Sequence, residues 1–167
     1  MVESISKGRL ELMRIALGSD HAGFDMKTVL AQTLTDWGHD TLDLGTDNAT
    51  DSVDYPDFGA AVGRSVASGD CDLGVAICGS GNGISIAANK VPGVRAAVVH
   101  DVTSAHLARE HNHANVLCLG SRLTGSAVAI DSLEAWLNAT PLEGHHVARI
   151  AKLAGLDEHL VHDERHT

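Results

Sequence analysis

LGVAICGSGNGISIAANK, residues 73–90, contains in one stretch the unit from which this chain is built. Residues 73–77 form an uninterrupted apolar run, which is typical of a strand covered on both faces of a sheet. The glycine-rich loop 78–83 follows, and a helical pattern then continues through about residue 89. The same succession of apolar run, loop and helix recurs along the chain and predicts alternating strands and helices.

Five apolar runs have the length of strands, and helical patterns separate them. The predicted strands cover residues 13–17, 41–44, 73–77, 94–99 and 116–119. Besides the helix that ends near residue 89, the predicted helices cover residues 23–37, 56–68, 103–111, 127–137 and 145–153. This alternation predicts an α/β fold in which a five-stranded parallel sheet carries helices on both faces.

Composition excludes several classes of partner. The 167 residues carry 12 basic and 22 acidic side chains, a formal charge of −10, and only 3% aromatic residues. A nucleic-acid-binding protein would need a basic face and stacking rings, so we expect no nucleic-acid partner. No apolar run reaches the roughly 18 residues of a membrane helix, and we expect no membrane association.

Length and cysteine usage indicate the organisation and the compartment. The length predicts one domain over residues 13–156, between an N-terminal extension, 1–12, and a polar C-terminal tail, 157–167. The N-terminus lacks the apolar segment of a signal peptide. Three cysteines without the spacing of a disulfide framework indicate reduced thiols and a cytoplasmic protein.

The loops after the strands are the expected place for a ligand, because open α/β sheets bind ligands beyond the carboxyl ends of their strands. In the loop 78–83, three glycines at alternate positions let a ligand approach the backbone and turn several N–H groups toward it. With the N-terminus of the next helix they form a nest for a phosphate or an oxyanion. The alternative is a tight turn without a ligand.

Two loops carry side chains suited to proton transfer. Cys78 ends a predicted strand beside the nest, where main-chain donors and a helix N-terminus favour a thiolate; a buried filler is the other interpretation. Asp20 and His21 follow the first strand and suit proton transfer and the binding of a hydroxylated ligand. Asp20 could also be the N-cap of the next helix. If the first and third strands are neighbours, the two loops face each other.

Three histidines follow the fourth predicted strand: His106, His111 and His113. Their spacing is not that of a metal site, and we expect no metal. His111 and Asn112, at a predicted helix end, are interpreted as a polar pair that projects into a site.

Basic residues are few in this acidic chain, so their positions are informative. Arg122 directly follows the fifth predicted strand, and Arg149 lies on the last predicted helix. The planar guanidinium suits phosphate, although a surface ion pair is the alternative for each.

Several segments resemble the type B ribose-5-phosphate isomerases, a family that also contains allose-6-phosphate and galactose-6-phosphate isomerases. They are residues 18–23 (GSDHAG), 54–56 (DYP), 78–90 (CGSGNGISIAANK), 109–112 (REHN) and 119–122 (LGSR). The resemblance extends from about residue 13 to residue 153. It implies a three-layer, Rossmann-like fold and an aldose–ketose isomerase without metal or organic cofactor. It also implies a homodimer or tetramer whose active sites use residues of both subunits.

The resemblance also implies roles for the residues of the two loops. Cys78 would be the base that moves a proton between C1 and C2 of the sugar. The backbone amides of residues 79–83, together with Ser80, would hold the enediolate oxygen. Asp20 would assist proton movement between the two oxygens.

Other residues are implied in opening and binding the sugar. His111 of the neighbouring subunit would help to open the ring, with Asn112 beside it. The remaining residues implied in substrate binding are His21, Tyr55, Gly79, Gly81, Asn82, Gly83, Arg122, His145 and Arg149.

Two positions depart from the family pattern. Ile84 stands where one branch of the family carries a glutamate base, which favours the cysteine route here. His145 stands where the family tends to carry the first of two arginines, and a histidine is only partly charged at neutral pH. The Cys78 loop, together with Asp20 and His111, predicts ribose 5-phosphate and ribulose 5-phosphate as the substrate pair, whereas His145 motivates the alternative. The alternative is another sugar phosphate (allose 6-phosphate, galactose 6-phosphate or a tetrose phosphate) or a free sugar. A third hypothesis is a sugar-phosphate or nucleotide binding module without activity, which would have no use for Cys78.

Overall fold

The computed structural model describes residues 12–162, and side-chain environments as far as residue 157. Its strands are β1 (Arg14–Ser19), β2 (Asp40–Asp43), β3 (Leu73–Cys78), β4 (Ala96–Val98) and β5 (Val116–Gly120). Its helices are α1 (Phe24–Asp36), α2 (Tyr55–Ala67), α3 (Asn82–Ala88), α4 (Val102–Asn112), α5 (Ser126–Asn138) and α6 (His145–His162). All the predicted strands and helices are present; their ends differ by no more than two residues, except that α6 extends nine residues beyond its predicted end.

The five strands form one parallel sheet in the order β2-β1-β3-β5-β4. The expected neighbours β1 and β3 do pair, with Ser19 opposite Ile77. The chain leaves β3 for the far edge, forms β4 there and returns to insert β5 between them. Because of this insertion, the loop after β5 lies beside the loop after β3.

Helices cover both faces of the sheet, which confirms the predicted three layers. One face packs Ile15, Leu17, Val75, Ile77 and Leu117 against α1, α4 and α5. The other face packs Ala16, Ala76 and Cys118 against α2 and α3. Successive strand residues point to opposite faces, so both sets must be apolar in a strand that is covered on both sides. The predicted strands 73–77 and 116–119 are unbroken apolar runs for that reason.

Two local features differ from the sequence analysis. The last helix does not end near residue 153 but continues to His162, into the segment predicted as a polar tail. Cys71 falls between the predicted helix 56–68 and the predicted strand 73–77 and is therefore expected in a loop; it lies in the turn before β3 but is buried. The predicted N-terminal extension, apart from Leu12, and residues 163–167 lie outside the described part of the chain.

Candidate active site

The carboxyl ends of β1, β3 and β5 meet at one edge of the sheet. Cys78, the last residue of β3, is opposite Gly120, the last residue of β5, and the backbone N–H of Asp20 donates to the carbonyl oxygen of Ile77. A cavity of about 380 Å³ opens there. Its lining residues are Asp20, Tyr55, Cys78, Gly79, Ser80, Gly83, Arg122 and Leu123.

Cys78 combines burial with access to this cavity. Its side chain is 4% exposed, and its Sγ accepts a hydrogen bond from the backbone N–H of Gly81 at 3.1 Å. Gly81 has a φ of 79°, and a Cβ there would lie 3.0 Å from the carbonyl carbon of Leu119. The turn that aims this N–H at the sulfur therefore requires glycine. A donor at this position stabilises the anionic sulfur, as hydrogen bonds to charged acceptors are the stronger ones.

The backbone N–H groups of residues 79–83 divide into those that have an acceptor within the loop and those that do not. The N–H of Gly81 is used by Cys78, and the N–H of Asn82 donates to Oγ of Ser80 at 3.3 Å. Within residues 12–162, the N–H groups of Gly79, Ser80 and Gly83 have no acceptor, and these three residues line the cavity. The nest thus offers three free donors, while Asn82 is exposed and outside the lining.

Asp20 fulfils both interpretations that its sequence position allowed. Its Oδ1 accepts the N–H of Gly23 at 3.0 Å and caps the short 3₁₀ turn His21–Gly23. The residue is nearly buried, with 7% of its surface exposed, and it lines the cavity. In the described residues, Oδ2 takes part in no hydrogen bond, which leaves that oxygen available to a ligand.

His21 is held by a distant part of the chain. Its Nδ1 accepts the backbone N–H of Val53 at 3.2 Å. A nitrogen that accepts carries no proton, so the neutral imidazole is assigned a proton on Nε2. His21 is therefore oriented as a donor through Nε2.

Arg122 and Tyr55 close two sides of the cavity. The N–H of Arg122 donates to the carbonyl oxygen of Gly79 at 3.0 Å, which ties the loop after β5 to the nest. The ring of Tyr55 packs over Gly83, where a Cβ would come within 2.6 Å of it. The Tyr55 side chain remains 42% exposed, and Arg122 is exposed as well.

The other predicted residues form a second cluster away from this cavity. The rings of His111 and His146 stack with centroids 4.6 Å apart, and those of His145 and His146 lie 4.0 Å apart. Arg149 is one turn further along α6. Partial burial lowers the pKa of His146, and the neighbouring His145, His111 and Arg149 lower it further. His145 is exposed, whereas His146 is half-buried in this stack.

The two clusters lie at opposite ends of the sheet. His111 and Asn112 end α4, just before β5 begins, whereas Cys78 is beside the residue that ends β5. Five strand residues span roughly 16 Å, so one His111 does not reach the Cys78 of the same chain. Asn112 lines a different cavity of about 430 Å³, between β4 and α6.

Sequence reasoning missed one buried ion pair. Lys27 of α1 is 2% exposed and lies 2.6 Å from Asp43. A single lysine in a helical pattern carries no signal that distinguishes it from a surface residue. Leu123, which lines the cavity, was missed too, although it directly follows a predicted site arginine.

The other cysteines have no role at the cavity. Cys118 lies within the predicted strand 116–119, which indicates a core residue, and it is fully buried. Burial raises the pKa of its thiol, and the nearby Cys78 raises it further. Among residues 12–162, no three metal-binding side chains come together and no helix is long and apolar enough to cross a membrane.

Comparison with known proteins gives consistent matches. The model of the Ribose/Galactose Isomerase family matches residues 15–153. Ribose-5-phosphate isomerase B of Escherichia coli is 40% identical over 147 residues, covering 88% of this chain and 98% of that protein. A galactose-6-phosphate isomerase subunit LacB of Clostridium acetobutylicum is 40% identical over 152 residues, covering 91% of this chain and 86% of that protein. The structure of Clostridium thermocellum ribose-5-phosphate isomerase B superposes with a TM-score of 0.87 at 47% identity and covers 89% of this chain and 99% of the other.

Proposed function

Because the chain belongs to the Ribose/Galactose Isomerase family, it is a sugar phosphate isomerase of the aldose–ketose type, and we propose that it interconverts D-ribose 5-phosphate and D-ribulose 5-phosphate with Cys78 as the base. The observation that carries the proposal is the position of the Cys78 sulfur. It accepts the N–H of Gly81 at 3.1 Å and lines the cavity together with Asp20.

The chemistry requires a base and an oxyanion site close together. The proton on C2 of the open-chain aldose is acidic only because the enediolate spreads its charge onto O1, so donors at that oxygen lower the barrier. The thiolate of Cys78 takes the C2 proton and returns it to C1. The free N–H groups of Gly79, Ser80 and Gly83 stabilise the charge, and Asp20 moves a proton between O1 and O2.

A complete site needs a second subunit. The stacked His111 and His146, with Arg149 nearby, are separated from the cavity of their own chain by the length of β5. A homodimer, alone or within a tetramer, would bring this cluster to the partner's cavity. There His111 and Asn112 would help to open the ring, and His145 and Arg149 would bind the phosphate or the ring hydroxyls.

A second substrate class has its own support. A relative that is 40% identical is named as a galactose-6-phosphate isomerase subunit, and His145 offers a weaker, pH-dependent charge for phosphate. A panel of four-, five- and six-carbon sugar phosphates and free sugars, compared by kcat/KM, separates these cases. We propose that the activity persists with a chelator, and loss of activity on chelation would reject a metal-free reaction.

The base assignment is tested by substitution. We expect Cys78→Ala to abolish formation of ribulose 5-phosphate in a coupled assay, while the unfolding temperature changes little. Cys118→Ala is the matched control, because it removes a buried thiol next to the same strand without touching the cavity. If Cys78→Ala keeps most of its kcat, the assignment is wrong.

The shared site is tested by complementation. Cys78→Ala and His111→Ala should each be inactive alone. When the two are unfolded and refolded together, half of the dimers contain one intact site, which predicts about a quarter of the wild-type activity. No recovery of activity, with hybrid dimers present by native mass spectrometry, would show that both residues act within one chain.

The base also requires a reduced thiol. The three cysteines are unpaired, which suits a reducing compartment, and we place the enzyme in the cytoplasm.

A further inference from the structure

Lys27 is a buried charge that the proposed reaction does not use. Its Nζ lies 2.7 and 2.6 Å from the two carboxylate oxygens of Asp43 and donates to the carbonyl oxygen of Thr46 at 2.9 Å. It also lies 5.3 Å from the centroid of the Phe24 ring. A lysine is almost never fully buried without partners, so this arrangement is specific. Lys27 does not line the cavity.

The ammonium holds one end of the loop that connects β2 to α2, residues 44–54. Next to it, the N–H of Thr46 donates to the carbonyl oxygen of Ser19 at 3.1 Å, so this end of the loop rests on the residue before Asp20. A Cβ on Gly45 would lie 2.6 Å from the backbone nitrogen of Ser19 and 2.9 Å from Cδ of Lys27, so this close packing requires glycine. Lys27 thus joins α1, β2 and the carboxyl end of β1.

The other end of this loop orients His21. Val53 donates its N–H to Nδ1 of His21 at 3.2 Å. Between the two ends, Oδ1 of Asn48 accepts the N–H groups of Thr50 at 3.0 Å and Asp51 at 2.8 Å, which stiffens the loop. The loop 44–54 is therefore held by the ammonium at one end and contacts the imidazole at the other.

We propose that Lys27 is a positioning residue: by fixing the loop 44–54, it holds His21 in the orientation and tautomer in which Nε2 donates to the substrate. The inference rests on the proposed function only in taking His21 as a substrate contact. Asp43 has a side chain that is 55% exposed, so water satisfies its carboxylate when Lys27 is replaced. Lys27→Met fills the same space without a charge and is the variant of choice.

The kinetic test is a double-mutant cycle. In the wild-type background, His21→Ala should lower kcat/KM roughly 10- to 100-fold, the range for a hydrogen bond to a charged group. In the Lys27→Met background, the same substitution should cost less than about twofold, because His21 is already misplaced. Lys90→Met, which neutralises an exposed lysine, should leave the full His21 effect. An equal His21 effect in the Lys27→Met background would show that Lys27 serves stability alone.

A second readout does not depend on turnover. The ¹⁵N chemical shifts of the His21 ring should show protonated Nε2 and unprotonated Nδ1 in the wild type, and a tautomer mixture in Lys27→Met. Asn48→Ala removes the hydrogen bonds within the loop without replacing a buried side chain, and it should give the same tautomer mixture. This variant provides the measurement if Lys27→Met does not fold. Unchanged shifts in both variants would overturn the inference. If the wild type isomerises no sugar phosphate, the proposed function fails, while the shifts still decide the role of Lys27.

Discussion

Replacing Gly81 with alanine adds a single methyl group, and it should lower kcat by more than the accompanying loss of stability explains. Its φ of 79° costs an alanine roughly 1–2 kcal/mol, which lowers the Tm of a chain of this size by about 2–8 °C. The added Cβ would also lie 3.0 Å from the carbonyl carbon of Leu119 and 3.1 Å from the nitrogen of Gly120. Those atoms belong to a central strand and do not yield, so the Gly81 backbone must move.

This movement withdraws the N–H that lies 3.1 Å from the Cys78 sulfur. Loss of a hydrogen bond to a charged acceptor removes about 1.5–3 kcal/mol, so Gly81→Ala should lower kcat roughly 10- to 100-fold. The assay is ketose formation at saturating sugar phosphate, combined with thermal unfolding of the same samples.

Gly69 provides the matched control. It has a φ of +83°, and no atom lies within 4 Å of a Cβ placed there. Gly69→Ala should therefore lose similar stability through backbone strain and keep the wild-type kcat. If Gly81→Ala and Gly69→Ala have the same kcat, the Gly81 amide does not support the base, and the account of the nest is refuted.

Three further predictions concern thiols, protonation and the cavity wall. Iodoacetamide should modify Cys78 before Cys118, because burial raises the pKa of the Cys118 thiol, and sugar phosphate should slow the modification of Cys78. Peptide mass spectrometry measures both effects. Modification of Cys118 before Cys78 would contradict the structure. Burial lowers the pKa of His39, so at mildly acidic pH the unfolded chain binds a proton that the folded chain does not. The free energy of unfolding is therefore unaffected by His39 above about pH 6.5 and decreases as the pH falls below that value. Urea unfolding of wild type and His39→Asn at about pH 7.5 and about pH 5.5 should show a smaller loss in the variant, and equal losses would exclude His39 as the cause. Tyr55→Ala should raise KM more than it lowers kcat, because the ring forms a wall of the cavity and takes no part in the proton transfer. A change in kcat with an unchanged KM would contradict this assignment.

The sheet and its helices were predictable because burial on two faces leaves a strong pattern. Leu73–Cys78 is apolar at every position, as a central parallel strand must be, and the helices between strands then follow from chain connectivity. The order of β4 and β5 was not predicted, because it depends on where the connecting helices place each strand and not on a periodic pattern within either strand. The C-terminal helix was predicted too short because its polar last turns lack the apolar periodicity on which the prediction depended.

The individual site residues were predictable because they follow strands, but which of them lie together in the structure was not. Cys78, Asp20, Ser80 and Arg122 each follow a strand, and the sheet brings such positions to one edge. His111 lies at a helix end, and only the register shows that β5 separates it from Cys78. Lys27 escaped notice because its importance depends on the packing of a loop 16 or more residues further along the chain.

The insertion of β5 between β3 and β4 has a consequence for biosynthesis. Until the ribosome has released the residues of β5, the newly made β2-β1-β3 ribbon presents β3, its most apolar strand, as an unpaired edge. Such an edge invites pairing with other nascent chains. The nest at the end of β3 also lacks its neighbour until then, so a product that terminates before β5 would be inactive and prone to aggregation.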